Sequence, residues 1–271
     1  MTIPIEDTFT DIIGKAQRGL GLSDAALAER AGVGTEQVAA LKAGTVDETT
    51  LRKVASALAV GGDALLALAQ GRYVPANVPE IEGLAHCNTV FEDMTVNSFV
   101  VWDAESREAA FFDTGADGGP MLEVAAKHNL NVTQILLTHT HGDHILDLDR
   151  LKEKTKARAY VCEKEPLDGA ESFAPGRAFA IGKLTVETRL TSGHSAGGIT
   201  YFIRGLAVPL AIVGDSLFAG SMGGGMVSYA DALRNNREQI LPLPDETVLC
   251  PGHGPLTTVG EQKLVNPFFA L

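Results

Sequence analysis

The stretch Thr138-His-Thr-His-Gly-Asp-His144 follows the apolar run Ile135-Leu-Leu137 and places three imidazoles and one carboxylate close together in the chain. Protonated together, these histidines would repel one another, and buried without partners they would lose their hydrogen bonds to water. A divalent cation removes both problems, because neutral imidazole nitrogen and carboxylate oxygen are good ligands for it. The pattern therefore predicts a metal site where a buried strand gives way to the start of a helix.

Three later segments carry further candidate ligands. Ser192-Gly-His194 supplies an imidazole, Val213-Gly-Asp215 supplies a carboxylate after an apolar strand, and Pro251-Gly-His253-Gly254 supplies an imidazole between glycines, as a tight loop requires. Each of these segments alone is typical of an ordinary turn. Their order behind the dense first motif indicates one site that is assembled from several loops.

His-x-His-x-Asp-His is the signature of the metallo-β-lactamase superfamily, and the later segments complete its pattern, so residues 86–271 resemble that family. The resemblance implies an α/β fold, a four-layer αββα sandwich, with two divalent metal ions. Zinc suits these ligands best, and iron and manganese also accept them. By the resemblance, His139, His141 and His194 would hold one metal, Asp143, His144 and His253 would hold the second, and Asp215 would bridge the two.

The resemblance also implies a reaction. Two cations about 3.5–4 Å apart would lower the pKa of a trapped water and direct the resulting hydroxide at a substrate carbonyl, with Asp143 orienting the nucleophile. The segments Gly214–Gly220 and Leu243–Pro255 are most similar to the glyoxalase II-like hydrolases, which cleave thioesters. A small thioester or related ester is therefore the expected substrate, whereas the segment Ser221–Met226 departs from the Gly-Arg found in many members of that family.

Two other functions are compatible with the sequence. Mononuclear iron persulfide dioxygenases resemble glyoxalase II closely, and one iron per chain with oxygen consumption would distinguish them from a two-metal hydrolase. The other alternative is a metabolite-sensing regulator that binds DNA through its N-terminal region and senses a small molecule through its metal-binding region. The full set of seven ligands favours the two-metal hydrolase.

Residues 8 to about 70 are predicted to form a run of short helices. Ser23 is a suitable N-cap and Gly32 a suitable stop for one helix, and the next helix is expected from Thr35 to Ala43 after a very short turn. Two short helices joined by such a turn are typical of a helix-turn-helix. This part of the chain resembles the phage-repressor (Cro-like, or XRE) family, which implies a small all-α domain over residues 1–70.

A DNA-binding domain would need basic or polar side chains on its recognition helix, residues 35–42. That helix offers Gln37 and Lys42, together with Glu36 and several alanines. Residues 1–70 contain six basic and nine acidic residues, a net charge of −3, and the whole chain has a formal charge of −12, which disfavours attraction to phosphates. A module for internal contacts, or for pairing two copies into a homodimer, is favoured over DNA binding. If it pairs two copies, deletion of residues 1–70 should leave an active monomer.

A domain boundary is expected at residues 71–80, where Pro75 and Pro79 interrupt the helical pattern. Beyond it, residues 81–271 alternate short apolar strands with helices, as in a layered α/β domain, and one helix is expected over residues 144–155. The three isolated cysteines and the lack of a basic, apolar leader favour a protein of the reducing cytoplasm. No apolar run is long enough to cross a bilayer, so no membrane partner is expected.

Overall fold

The computed structural model describes residues 3–271, and its first part consists of short helices with recognisable boundaries. Ser23 Oγ accepts a hydrogen bond from the Ala26 amide, and Gly32 ends the same helix with a left-handed φ of 64°, which confirms both predicted boundaries. A glycine is favoured at this φ because it has no Cβ to strain the backbone. The five helices are α1 (Phe9–Gly19), α2 (Asp24–Ala31), α3 (Thr35–Lys42), α4 (Glu48–Leu58) and α5 (Gly62–Ala69).

Residues 71–83 contain no helix or strand and connect this helical unit to the rest of the chain. The connection is anchored by Tyr73, whose hydroxyl donates to Glu261 Oε1 over 3.0 Å and accepts from Gln262 Nε2 over 3.2 Å. The segment therefore follows the surface of the larger part. Within residues 3–271, no helix has both the length and the apolar character needed to cross a bilayer.

The first of two six-stranded sheets has its strands side by side in chain order. They are β1 (Leu84–Phe91), β2 (Met94–Trp102), β3 (Glu108–Phe112), β4 (Asn131–Leu136), β5 (Arg158–Cys162) and β6 (Glu171–Phe173). The pairing is antiparallel from β1 to β3 and parallel from β3 to β6. The carboxyl ends of β3, β4 and β5 therefore lie at one edge of the sheet.

The second sheet also follows chain order. Its strands are β7 (Ala178–Ile181), β8 (Leu184–Leu190), β9 (Ile199–Arg204), β10 (Leu210–Gly214), β11 (Val248–Pro251) and β12 (Thr257–Thr258). Only β10 and β11 run parallel, and their pairing moves from Ile212 with Cys250 to Gly214 with Pro251, which leaves Val213 as the extra residue of a β-bulge. Asp215 follows this bulge directly.

The two sheets pack face to face, and helices cover both outer faces, which confirms the four-layer αββα arrangement. Tyr201 and Ile212 belong to the core between the sheets, Met121 and Leu151 cover the outer face of the first sheet, and Val259 covers that of the second. The covering elements are α6 (Gly119–Lys127), α7 (Gly142–Ile145), α8 (Leu148–Thr155), α9 (Tyr229–Asn235), a π-helical turn (Asn236–Ile240) and α10 (Val259–Val265).

The prediction of a single helix over residues 144–155 is wrong, because the chain forms two helices here, α7 and α8, which are separated at Leu146–Asp147. The Asp147 amide donates to Thr114 Oγ1 over 3.2 Å instead of to a carbonyl in the preceding turn. Its carboxylate accepts from the Gly118 amide over 2.7 Å. This bend allows His144 to be fully buried while Leu146, only two residues later, is 60% exposed.

The helical unit shares a hydrophobic core with the sandwich. Ile13 belongs to one buried cluster with Tyr229 and Phe268, and the Gly61 amide donates to the Pro267 carbonyl over 2.7 Å. Removal of residues 1–70 would expose the apolar side chains of Tyr229 and Phe268 to water. The shared core therefore argues against the expectation that such a truncation leaves an intact, active monomer.

Substitution of Gly19 by Ala tests this docking. A Cβ at Gly19 would lie 2.2 Å from Tyr229 Cγ, so we expect Gly19→Ala to lower the free energy of unfolding by about 1–3 kcal/mol, as overpacking does. Gly14→Ala in the same helix is the control, because its Cβ would meet only the flexible end of Arg18, at 3.1 Å. Urea denaturation measures both variants, and equal midpoints would show that α1 does not dock against Tyr229.

Candidate metal centre

Seven candidate ligands come from the loops and the short helix at one edge of the sandwich. They follow β4 (His139, His141), lie in α7 (Asp143, His144), or follow β8 (His194), β10 (Asp215) and β11 (His253). Because β10 and β11 run parallel, Asp215 and His253 leave neighbouring strands at the same edge. Segments far apart in sequence thus deliver their polar side chains to one place.

The first group of ligand atoms is formed by three histidines and one aspartate. His139 Nε2 lies 3.1 Å from His141 Nδ1, which in turn lies 3.0 Å from His194 Nε2. Asp215 Oδ2 lies 3.3 Å from His194 Nε2 and 3.9 Å from His139 Nε2. The four ligand atoms all lie within 4.8 Å of one another, so a single cation can reach all four.

The second group contains Asp143, His144 and His253. Asp143 Oδ2 lies 3.3 Å from His144 Nε2 and 3.2 Å from His253 Nε2. Asp215 also reaches this group, since its Oδ1 lies 3.3 Å from His144 Nε2 and its Oδ2 lies 3.4 Å from His253 Nε2. The structure thus brings all seven predicted ligands together and places Asp215 between the two groups, where a bridging ligand would stand.

The chemistry of these atoms fits two divalent cations. His144 Nε2 and Asp215 Oδ1 are buried and, although they lie 3.3 Å apart, neither makes a hydrogen bond of ordinary geometry within residues 3–271, which is costly for polar atoms that nothing else satisfies. Imidazole nitrogen and carboxylate oxygen are ligands that zinc, iron and manganese all accept. One group would hold the first ion, the other group would hold the second, and Asp215 would contact both.

The protein fixes the orientation of four of the five imidazoles through their Nδ1 atoms. Carbonyl and carboxylate oxygens only accept hydrogen bonds, so an Nδ1 atom beside one carries the hydrogen and Nε2 keeps its lone pair for a metal. The Thr138 hydroxyl also accepts, because it donates its own hydrogen to Asp113 Oδ2. The Nδ1 partners are Thr138 Oγ1 for His139 (3.0 Å), Asp113 Oδ2 for His144 (2.9 Å), the Gly224 carbonyl for His194 (2.9 Å) and the Thr95 carbonyl for His253 (2.7 Å).

Asp113 is a functional residue that the sequence analysis missed. It is buried, and its Oδ2 accepts from His144 Nδ1 over 2.9 Å and from the Thr138 hydroxyl over 2.8 Å, while its Oδ1 accepts from the Thr138 amide over 2.7 Å. One carboxylate therefore supports His144 directly and His139 through Thr138. The available signal was an aspartate at the end of the apolar strand β3, whose neighbour β4 leads to His139.

Asn97 has a positioning role that the sequence analysis did not assign. Its side chain is fully buried in β2, and its Nδ2 donates to the carbonyls of Pro251 over 2.9 Å and of Gly254 over 2.8 Å. These carbonyls lie on either side of His253. The first sheet thereby holds a ligand loop of the second sheet.

Glu165 connects two other ligand loops. Its Oε1 accepts from the Thr140 hydroxyl over 2.7 Å, between His139 and His141, and its Oε2 accepts from the Gly197 amide over 2.9 Å, just after His194. Burial raises the pKa of this carboxyl, but the hydrogen bonds outweigh it and hold the pKa below its ordinary value. Glu165 is therefore an ionised brace between segments that carry the first group of ligands.

Opposite charges are concentrated in the second group. Burial disfavours the charged form of His144, but Asp215 and Asp113 outweigh it and raise its pKa to about 10. Burial acts on His253 in the same way, and Asp215 and Asp143 raise its pKa to about 11. Burial also raises the pKa of Asp215, but His253 and His144 hold it well below its ordinary value. Protons on these imidazoles thus balance the carboxylates, and a cation would take over that role.

Gln37 and Lys42, the residues proposed for DNA contact, lie in α3 and are not part of the metal centre. Gln37 Oε1 accepts from the Gly34 amide over 2.8 Å, and its Nε2 donates to Thr50 Oγ1 over 3.1 Å. Lys42 Nζ forms an ion pair with Asp24 Oδ1 at 2.6 Å. Both side chains are engaged in contacts that hold the helices of this unit together.

The αββα sandwich and its two groups of ligands define the class of metal-dependent hydrolases. Residues 92–253 match the Metallo-beta-lactamase superfamily, and the chain belongs to this family. A probable metallo-hydrolase, YqgX, of Bacillus subtilis is 30% identical over 187 residues, which cover 59% of this chain and 87% of that protein. A hydroxyacylglutathione hydrolase of Cereibacter sphaeroides is 34% identical over 161 residues, which cover 58% of this chain and 61% of that protein.

Solved structures show the same fold. The B3 metallo-beta-lactamase BLEG-1 superposes with a TM-score of 0.60 and 26% identity, covering 69% of this chain and all of that one (100%). ETHE1 from Myxococcus xanthus superposes with a TM-score of 0.60 and 23% identity, covering 69% of this chain and 84% of that one. Each match leaves about a third of this chain uncovered.

Substitution of Asp113 by Asn tests its support of the ligands. An asparagine keeps the shape but replaces one accepting oxygen with a donor, so it cannot accept all three hydrogen bonds, from His144 Nδ1, the Thr138 hydroxyl and the Thr138 amide. We expect Asp113→Asn to weaken metal binding by roughly 10- to 100-fold, as loss of an outer-shell partner does. Competition with a chromophoric chelator measures the affinity. Asp103→Asn is the matched control, because Asp103 is a buried aspartate at the end of β2 that contacts no ligand, and equal affinities of the two variants would contradict the role.

Proposed function

We propose that this protein is a two-metal hydrolase of small thioesters or related esters, with zinc as its metal. The observation that carries the proposal is the position of Asp215 between two complete groups of ligands. Held there, divalent cations would supply Lewis-acid activation of a water and of a substrate carbonyl at neutral pH. That chemistry is suited to hydrolysis of an activated acyl group.

Two observations favour a thioester as the substrate. Hydroxyacylglutathione hydrolases are among the relatives, one from Cereibacter sphaeroides at 34% identity and another, GloC, from Haemophilus influenzae at 28% identity over 197 residues. A thiolate is also a good leaving group and a soft ligand that zinc binds well. In the reaction, the oxygen of water adds to the carbonyl carbon, the carbon–sulfur bond breaks, and the thiolate leaves with the electron pair.

Asp143 is the residue best placed to handle the proton of the attacking water. Burial raises its pKa, but His253 and His144 outweigh this and hold the pKa below its ordinary value, so the carboxylate is ionised and able to accept a hydrogen bond. Its side chain retains 12% exposure, more than that of His144 or His253, so it lies on the accessible side of the second group. Asp143 would therefore orient the water while Asp215 stays between the two groups.

A persulfide dioxygenase is the alternative within the same fold. The likeness to ETHE1 from Myxococcus xanthus, at 23% identity, concerns the fold alone. A mononuclear centre needs only one group of ligands. In this chain a second group is also present, since the ligand atoms of Asp143, His144 and His253 lie within 4.8 Å of one another. The second group is the reason to favour hydrolysis.

Metal quantification followed by a substrate screen tests the proposed function. We expect close to two metal ions per chain after purification or reconstitution, and hydrolysis of small thioesters in preference to lactones. Elemental analysis by mass spectrometry gives the metal content, and a thiol reagent follows thioester cleavage. One iron per chain, with oxygen consumed in the presence of a persulfide and no thioester cleaved, would replace this proposal with the dioxygenase.

Replacement of Asp143 by Ala tests its part in the reaction. We expect Asp143→Ala to lower kcat by roughly 10²- to 10⁴-fold, the range typical of a lost proton-handling group, with little change in the thermal unfolding midpoint. The control is Asp149→Ala, because Asp149 is an exposed aspartate nearby on α8. Steady-state kinetics at saturating metal separates the two variants, and unchanged turnover in Asp143→Ala would exclude it from the mechanism.

A further inference from the structure

The segment before α1 and the helix itself lie against the loops that carry the metal ligands. Asp7 Oδ2 accepts a hydrogen bond from the Ser221 hydroxyl over 2.5 Å, and the Asp7 carboxylate forms an ion pair with Lys15. Lys15 Nζ also donates to the Met222 carbonyl over 2.9 Å. Ser221 and Met222 begin the glycine-rich loop whose Gly224 carbonyl accepts from His194, so the helical unit supports one side of the first ligand group.

The same unit also reaches the second ligand group. Lys15 Nζ lies 5.2 Å from the centre of the Phe218 ring, and the Phe218 ring meets the His253 ring edge-on, with 5.7 Å between their centres. A Cβ built at Gly254, next to His253, would lie 3.2 Å from the Glu6 amide nitrogen and 3.6 Å from Glu6 Cβ. The residues just before α1 are thus in contact with the loop of a metal ligand.

Glu6 is the one acidic or basic side chain of this contact region that is left without an opposite partner. Asp7 and Lys15 neutralise each other, whereas within residues 3–271 no hydrogen bond or ion pair engages the Glu6 carboxylate. Glu6 packs against Gly254, next to His253, and its burial there raises the pKa of its carboxyl; the charges of His253 and Lys15 lower that pKa, and those of Asp7 and Asp215 raise it. An unpaired carboxylate in such a half-buried position acts strongly on any charge that enters the site.

We propose that Glu6 is a specificity-determining residue at the metal centre, which disfavours substrates with an anionic group close to the scissile bond and favours neutral or cationic ones. This proposal rests on the proposed function, because it takes thioesters as the substrates, and it adds the charge that the preferred thioesters carry. Metal cations on their own would attract anions, and the Glu6 carboxylate opposes this attraction. Thioesters that carry a carboxylate near the thioester group are then poor substrates compared with small neutral thioesters.

Binding of three small thiols tests Glu6 independently of turnover. The probes are 3-mercaptopropionate, 2-mercaptoethanol and cysteamine, which are similar in size and carry an anionic, a neutral and a cationic group. With Glu6→Gln, we expect calorimetry on the metal-loaded protein to show 3-mercaptopropionate binding about three- to tenfold tighter and cysteamine binding weaker by a similar factor, at low salt. The affinity for 2-mercaptoethanol should stay the same.

Thioesters of 3-mercaptopropionate and 2-mercaptoethanol with one acyl group give the kinetic counterpart. The ratio of kcat/KM for the anionic thioester to that for the neutral one should rise about three- to tenfold in Glu6→Gln, mainly through KM. Glu6→Ala should shift the ratio in the same direction. Agreement between the two variants would exclude a folding defect of one variant as the cause. Glu246→Gln is the control, because Glu246 is exposed just before β11, at the opposite end of that strand from His253.

The outcomes separate this proposal from the proposed function. If thioesters are cleaved but neither the thiol affinities nor the kcat/KM ratio responds to Glu6→Gln and Glu6→Ala, Glu6 has no role in specificity. If the thiol affinities shift as expected and no thioester is cleaved by the wild type, the role of Glu6 stands and the thioester proposal fails. Equal shifts in Glu246→Gln would show a general effect of net charge and would also overturn the role of Glu6.

Discussion

The architecture depends on bringing five imidazoles and two carboxylates into one poorly solvated cavity. Such a cluster is unfavourable unless each ring has a defined tautomer and the carboxylates have a counter-charge. Hydrogen bonds from Nδ1 to Asp113, to Thr138 and to two backbone carbonyls fix four of the rings. Bracing by Asn97 and Glu165 then holds the loops from both sheets against each other. The sandwich acts as a frame that places lone pairs around two cation-sized positions.

The helical unit is part of this frame. Gln37 and Lys42, which the sequence suggested for DNA contact, make contacts within the unit, and the residues before its first helix lie beside the His253 loop. A common core with Tyr229 and Phe268 makes the unit and the sandwich one packed body. The unit thus supplies residues such as Lys15 to the surroundings of the candidate metal centre.

Much of the metal centre could be predicted from the sequence because its ligands are rare residue types in short, dense motifs. His139 to His144 stand out against an apolar strand, and the later histidines are recognisable by their order. Asp113 and Asn97 were missed because a single polar residue beside a strand has many ordinary explanations. The carbonyls of Thr95 and Gly224 have no sequence signal at all, since every residue has a carbonyl. The break at Asp147 was missed because its amide is satisfied by Thr114, which lies 33 residues earlier.

The β-bulge in β10 has a consequence for how this site can change during evolution. Val213 is the extra residue of the bulge, so it determines which face of the sheet the Asp215 side chain is directed toward. Deletion of one residue there would turn the carboxylate toward the opposite face of the sheet, away from the histidines that it faces in this structure. A change of length in this strand would therefore remove Asp215 from both groups of ligands at once, whereas the surface loops can change in sequence without moving the ligands.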